Sequence, residues 1–448
     1  MRIFKPVLTV LAVLAFVACL NAAITFALFP YGSKSEVMWT DYRLEEGVDM
    51  VFTGTSISER AFDPAVVDEA CGVHSYNAST PSQLLEETYL GLDVLLEDGQ
   101  VHTVVYGLEY SSLIGEKFPD PARSYLIWKN KGRPADALHD TLWCLTHERC
   151  YTATDSLNWV FPWVNNHVGL SPSDVWGNIQ RKTDGTSVYD AAVALEPDWV
   201  YYGQGYGNYD YIQNYNCGSA KTYEDDYHCA DFDEQKMAAL ADVCDACVER
   251  GVDILVVMPP IPVFNVYEYG DKYFEQSDQV RALVESHGGE FYDLNMAKPE
   301  LLDLDRTDIF ADFQHLNHTG AEEVSKAFSV IYNARAAGED VSRYFYTPEE
   351  YKAVSTRVDF VMLHSEKNDE GFAMQAEALA GASAQLEYQY MLKNEAGEWE
   401  VIRDWSDDPA YLFAPEEPGE YKVCVNVRTQ GSDAEYDRYR TVKVNKEA

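Results

Sequence analysis

The chain has 448 residues, 46 % of them hydrophobic, more than one domain of ordinary size holds and enough to bury a full core. Its 34 Lys and Arg stand against 74 Asp and Glu, and the net charge of −40 weighs against DNA, RNA or an anionic surface as an electrostatically held partner, since those need clustered cations. Such a charge keeps an exported chain soluble and leaves neutral or cationic glycans open as partners.

From the N-terminus, Val7 to Phe29 form 23 positions without a charge, preceded by Arg2 and Lys5 and followed by Pro30-Tyr31-Gly32. That length spans a bilayer, and the basic flank predicts residues 1–30 as a transmembrane signal anchor with the rest of the chain outside the cytoplasm. The competing expectation is a signal peptide cleaved near Asn21-Ala22-Ala23, which would leave a secreted protein. A lipidated Cys19 is a further alternative, although Phe16-Val17-Ala18 matches the usual leucine-led box poorly. Eight cysteines lie beyond Cys19, and the close spacings of Cys144–Cys150 and Cys217–Cys229 suggest local disulfides, with connectivity left open by the sequence.

Strand-like runs follow at Met50–Thr53, Val73–Tyr76, Thr103–Gly107, Ile254–Met258 and Glu290–Leu294. Helical patterns near Pro81–Glu97, Glu234–Gly251, Ser277–Gly288 and Gly320–Ala336 alternate with them. This alternation predicts an α/β unit over residues 45–345, a parallel sheet with helices on both faces. Thr319 and Glu322 have capping-box spacing and predict the start of the last helix, with His315 on the loop before it.

Residues 111–233 interrupt the alternation and carry six of the nine tryptophans, with eight tyrosines between Tyr201 and Tyr227. Two expectations stand side by side: a lid whose aromatic faces suit sugar rings, and a self-packed subdomain stapled by cysteines. Cys244 and Cys247 have zinc or redox spacing but lie in a helical pattern with no second Cys or His pair beside them, so no metal is expected. After Tyr346-Thr-Pro the pattern changes to alternation at Val358–Leu363, Leu386–Leu392, Trp399–Arg403, Tyr421–Val427 and Arg440–Val444, which predicts an all-β sandwich over 355–448.

The run Val48–Thr53 ends at Gly54-Thr55-Ser56, which places Ser56 at the C-terminal edge of a predicted parallel strand, where ligands meet helix N-termini. Asp312-Phe313-Gln314-His315 precedes the last predicted helix. A serine hydroxyl is a weak nucleophile until a base takes its proton, and the base works best when a carboxylate holds its tautomer. His315 and Asp312 are the residue types for those two tasks. Taken alone, Ser56 reads more naturally as a helix N-cap with Glu59 completing a capping box, and His315 as a loop histidine. Their joint order along a βα chain is what points to chemistry.

The constellation resembles the SGNH/GDSL hydrolase superfamily, with a Gly-x-Ser after the first strand and an Asp-x-x-His near the end of the domain. Asp312-Phe-Gln-His315-Leu-Asn-His-Thr-Gly320-Ala321 looks like the form seen in surface-polymer-modifying branches, and Tyr76-Asn77-Ala78-Ser79 looks like the second block. The resemblance implies a flavodoxin-like three-layer sheet and a serine esterase or O-acyltransferase that uses no metal or organic cofactor. It implies Ser56, Asp312 and His315 as catalytic residues, and the Ser56 backbone N–H, a group at Ser82 and Asn77 as oxyanion donors. Two positions depart from the pattern: the second-block glycine is replaced near Ser82, and the Gly-x-Asn-Asp block reads Gly107-Leu108-Glu109-Tyr110. The expected substrate is an acyl ester of a cell-envelope polysaccharide or teichoic-acid-like polymer, met outside the membrane. The alternative is a non-catalytic glycan-binding or envelope-assembly protein on the same fold. Tyr388-x-Tyr390, Gly397-Glu-Trp399 and Pro418-Gly419-Glu-Tyr421 resemble the three-tyrosine immunoglobulin-like bacterial module, which implies an accessory role.

Overall fold

A computed structural model describes residues 4–115, 118–147, 149–150, 156–164, 169–212, 230–262, 271–304, 308–312, 314–354, 358–380, 384–394, 397–432 and 434–446. Strands Met50–Gly54 (β1), Ser75–Asn77 (β2) and Thr103–Gly107 (β3) open the central sheet, and the antiparallel hairpin Val200–Gly203 (β4) and Tyr206–Asn208 (β5) belongs to the insertion. Asp253–Met258 (β6) and Glu290–Asp293 (β7) complete the sheet in the all-parallel order β2-β1-β3-β6-β7. Counted within the sheet this is the doubly wound order 2-1-3-4-5, whose crossover reverses beside β1.

The near-continuous apolar runs of these strands follow from burial on both faces. Val51, Val104, Ile254 and Val256 pack against helices Leu85–Leu95, Glu234–Val248 and Asp271–Ser286. Met50, Phe52, Val105, Leu255 and Val257 pack on the opposite face against Pro64–Cys71 and His318–Ala336. There Phe52 stacks on Phe62 at 4.6 Å between centroids and meets Phe328 edge-on at 5.5 Å. Each such fully buried ring contributes about 2–3 kcal/mol by leaving water.

Helix boundaries differ from the sequence expectation where caps decide them. The helix expected from Pro81 begins at Leu85, because Glu87 Oε2 accepts the Leu84 N–H at 2.8 Å. The last helix begins at His318, two residues before the expected Gly320, because the cap is Asn317 in place of Thr319, with Asn317 Oδ1 accepting the Gly320 N–H at 2.9 Å. The expected disulfide Cys144–Cys150 is not formed: both are buried free thiols, and the Cys150 contact together with burial pushes the Cys144 thiol far above its usual range. Cys217 and Cys229 lie outside the described residues. Burial pushes the Cys244 and Cys247 thiols up to about 12 inside the first-face core, and the described residues contain no group of three or more His, Cys, Asp or Glu arranged to hold a metal.

The insertion contributes helices Pro121–Asn130, Pro134–Thr146, Ser156–Val160, Pro172–Thr183 and Val188–Leu195. Leu126, Ile127, Trp128, Cys144, Cys150 and Trp159 join the first-face core, so this part of the segment packs on the α/β unit. A small cluster of Val37, Ala192, Trp199 and Tyr209 ties it to helix Lys34–Tyr42. At the N-terminus Pro6–Leu28 is a helical span of 23 residues whose most apolar window has mean hydropathy 2.6 and is nowhere buried, a length and composition that suit a membrane anchor or a signal sequence.

Among its described residues the C-terminal unit holds seven strands: Val358–Asn368 (β8), Gly371–Ala380 (β9), Leu386–Lys393 (β10), Trp399–Ser406 (β11), Ala410–Phe413 (β12), Gly419–Thr429 (β13) and Arg438–Lys446 (β14). Sheets β11-β10-β13-β14 and β12-β9-β8 enclose one core of Tyr388, Tyr390, Val425 and Val427 against Val361, Phe372 and Met374. Strands β9 and β12 were not expected. The Ala, Met, Gln and Glu of β9 favour helix, and pairing with β8 and β12 overrides that preference.

Candidate active site

β1 ends at Gly54, where φ is +147° and a Cβ would stand 2.5 Å from the Gly107 carbonyl oxygen and 2.9 Å from Ser58 Cβ. Glycine is therefore required for the chain to turn off the sheet beside β3. The next residue, Thr55, caps the short helix Ser56–Glu59, its hydroxyl accepting the Ile57 N–H at 3.2 Å. Because Thr55 takes the cap that the sequence suggested for Ser56, the Ser56 hydroxyl is released toward the loop. Ser56 Oγ lies 2.8 Å from His315 Nε2.

His315 Nδ1 in turn lies 2.9 Å from Asp312 Oδ2 and 3.0 Å from Oδ1. With the proton on Nδ1 donating to Asp312, Nε2 accepts the Ser56 hydroxyl. Asp312 Oδ1 also accepts the Gln314 and His315 backbone N–H groups at 2.8 Å each, and Arg60 Nη1 stands 3.6 Å from Oδ2. Burial pushes the Asp312 carboxyl up, but the His315 hydrogen bond and charge and the two backbone bonds outweigh it and hold it below the usual carboxylate range. The loop closes tightly on the last helix: a Cβ on Gly320 would sit 2.2 Å from the Ile309 carbonyl oxygen. Ser56, His315 and Asp312 thus stand in one hydrogen-bonded line.

The expected oxyanion donors divide. Asn77 is fully buried, its Nδ2 donating to the carbonyls of Ser58, Glu59 and Phe62 at 3.4, 3.2 and 2.9 Å, while its Oδ1 accepts the Ser79 N–H at 3.1 Å. Its amide is committed to holding the chain that follows Ser56, which corrects its assignment as an oxyanion donor. Ser82 is exposed and has φ +57°, the left-handed conformation that glycine adopts freely. Glu109 accepts the Thr55 hydroxyl at 2.9 Å and is also bonded by the Ser111 hydroxyl, so a carboxyl group is tied to the residue that precedes Ser56.

The β4–β5 hairpin presses on the same loops. Tyr202 stacks on His318 at 4.0 Å and 10°, and Tyr206 OH lies 3.0 Å from His318 Nδ1. Asn208 Nδ2 donates to the Arg60 carbonyl at 3.1 Å, and the Tyr209 ring lies 4.5 Å from the Arg60 guanidinium. Tyr209 OH accepts from Lys34 Nζ at 2.6 Å and donates to Glu196. Beneath them Glu59 is 4 % exposed, and burial raises its carboxyl to about 7 although Lys34 and Arg60 pull it down. Sequence reasoning missed Arg60, Glu59, Tyr206, Tyr209 and His318 as neighbours of the site. The tyrosine-rich run and the two charges three and four residues after Ser56 were the available signals.

Residues 380–447 match the family described as the Y_Y_Y domain, which supports a three-tyrosine module over that part of the C-terminal unit. No curated protein matches the chain. Among solved structures, the X-ray structure of the endo-beta-1,4-mannanase from Thermotoga petrophila is similar at 10 % identity over 93 % of this chain and 94 % of that one, with a TM-score of 0.19, too low to bear on fold or activity.

Proposed function

We propose that the chain is a membrane-anchored serine esterase or O-acyltransferase of the SGNH type, acting outside the membrane on acyl esters of a cell-envelope glycan or teichoic-acid-like polymer. The observation that carries this reading is the unbroken line from Ser56 Oγ through His315 to Asp312, at 2.8 and 2.9 Å. In it Ser56 Oγ attacks the ester carbonyl while His315 Nε2 takes the hydroxyl proton, and the imidazolium is held by Asp312. The oxyanion is met by the Ser56 backbone N–H at the start of its helix and by the group at Ser82. Collapse expels the alcohol, which receives the proton from His315 and leaves an acyl-Ser56 ester. Water or a sugar hydroxyl then attacks that ester, giving hydrolysis or transfer. Tyr202, 41 % exposed on the hairpin, offers an aromatic surface of the kind that packs on sugar rings.

The second reading, a non-catalytic glycan-binding or assembly protein, is favoured by Glu109 where the resemblance leads one to expect an oxyanion-donating Asn. A fluorophosphonate probe and p-nitrophenyl acetate, applied to the detergent-solubilised full chain, separate the two. Labelling and turnover lost in both Ser56→Ala and His315→Ala support the esterase, and a folded wild type that is neither labelled nor active supports the binding protein.

A further inference from the structure

The outer end of the apolar helix is wrapped by the insertion. Asn21, inside the charge-free run, donates from Nδ2 to the Val160 carbonyl at 3.2 Å and accepts the Trp163 indole N–H at 2.9 Å. Asn178, on helix Pro172–Thr183, donates to the carbonyls of Ala27 and Phe29 at 2.9 and 2.8 Å and accepts the Tyr31 N–H at 3.1 Å. Lys182 Nζ reaches the carbonyls of Phe26 and Phe29 at 2.6 and 2.5 Å. Carbonyls that a helix C-terminus leaves unpaired are thus satisfied by side chains about 150 residues away.

Asn21 precedes the helix end at Leu28 by seven residues, a rise of about 10 Å at ~1.5 Å per residue. Val160 and Trp163 therefore run alongside the helix to the depth of a headgroup layer. The same part of the insertion turns large apolar side chains outward: Val160 is 43 %, Leu170 41 % and Trp176 61 % exposed. Tryptophan favours the boundary between headgroups and acyl chains. Residues 121–183 carry seven Lys and Arg against five Asp and Glu, where the whole chain carries 34 against 74, so the local charge does not repel a lipid surface.

We propose that residues 156–164 and 169–183 form an interfacial collar, seated in the bilayer boundary beside the outer end of the helix, with Val160, Leu170 and Trp176 against lipid. The collar rests on the anchor reading and goes beyond it. It makes the insertion a device that sets how the catalytic half stands on the membrane, because Tyr31 and Lys34, which follow the helix, are bonded to Asn178 and Tyr209.

The test reconstitutes the full chain, wild type and Trp176→Phe, in phosphatidylcholine vesicles with and without acyl-chain bromination. The wild-type minus variant emission isolates Trp176. Retention after carbonate extraction, with that difference emission quenched by half or more in brominated vesicles, is the expected result. Release by carbonate overturns the anchor and the collar with it. Retention with unquenched emission leaves the anchor standing and overturns the collar: a blue-shifted spectrum would then seat Trp176 on a second copy of the chain, and an unshifted one would leave it in water. Should Trp176→Phe fold poorly, Leu170→Trp adds an emission that the collar requires to be bromine-sensitive and that a water-exposed Leu170 would leave unquenched.

Discussion

Asp312→Asn tests the proposed triad at its least replaceable point. The substitution keeps size and keeps an oxygen able to accept the Gln314 and His315 N–H bonds, both at 2.8 Å. What changes is the group facing His315 Nδ1 at 2.9 to 3.0 Å. A neutral amide neither stabilises the imidazolium nor enforces the tautomer that leaves Nε2 free to accept the Ser56 proton. For such sites the loss in turnover is about 10³–10⁴, or roughly 4–5.5 kcal/mol of transition-state stabilisation at ~1.36 kcal/mol per factor of ten. The Arg60 guanidinium, 3.6 Å from Oδ2, also loses its charged partner, so a stability loss of about 1–2 kcal/mol accompanies it. Turnover of p-nitrophenyl acetate and the rate of fluorophosphonate labelling, read beside thermal unfolding, measure both quantities. A folded variant that keeps more than a tenth of wild-type turnover would refute the assignment of Asp312 and with it the three-residue line.

Ser82→Gly relieves a left-handed conformation and is expected to raise stability by about 0.5–1 kcal/mol, with kcat/KM within twofold of wild type, because the backbone N–H at that position is kept. A tenfold loss would transfer the role to the hydroxyl. Glu59, raised by burial from 4.5 to about 7, binds its proton in the folded state at pH values where the unfolded chain has released it. Its contribution is therefore fully present below about 4.5 and is lost as pH rises through about 7. Glu59→Gln should remove that slope, a difference on the order of 3 kcal/mol between pH 5 and pH 8, and equal denaturant midpoints for the two proteins at both pH values would contradict it. Tyr390→Phe deletes the 2.7 Å bond from its hydroxyl to the Pro409 carbonyl, which keeps the Ala376 N–H at 3.1 Å. Stability of the C-terminal module is expected to fall by about 1 kcal/mol with turnover unaffected, and a parallel loss of turnover would show that the two units are coupled.

Much of this arrangement was legible in the chain. Charge-free length marked the apolar helix, buried β runs alternating with helical patterns marked the parallel sheet, and Tyr388, Tyr390 and Tyr421 marked the C-terminal module, because each rests on local composition and period. Ser56, Asp312 and His315 were nameable because their types and offsets fit one chemistry, and β1 and the last helix bring them within 2.8 to 3.0 Å. Tertiary structure alone decided that Thr55 caps the helix in place of Ser56, that Asn77 faces three carbonyls and is unavailable to an oxyanion, and that β9 pairs as a strand against its own propensity. It alone brought Tyr202, Tyr206 and Tyr209 onto His318 and Arg60, and Asn178 onto the end of the apolar helix. These last are contacts between residues more than a hundred positions apart, set by how packed elements meet, and no local period or spacing encodes them.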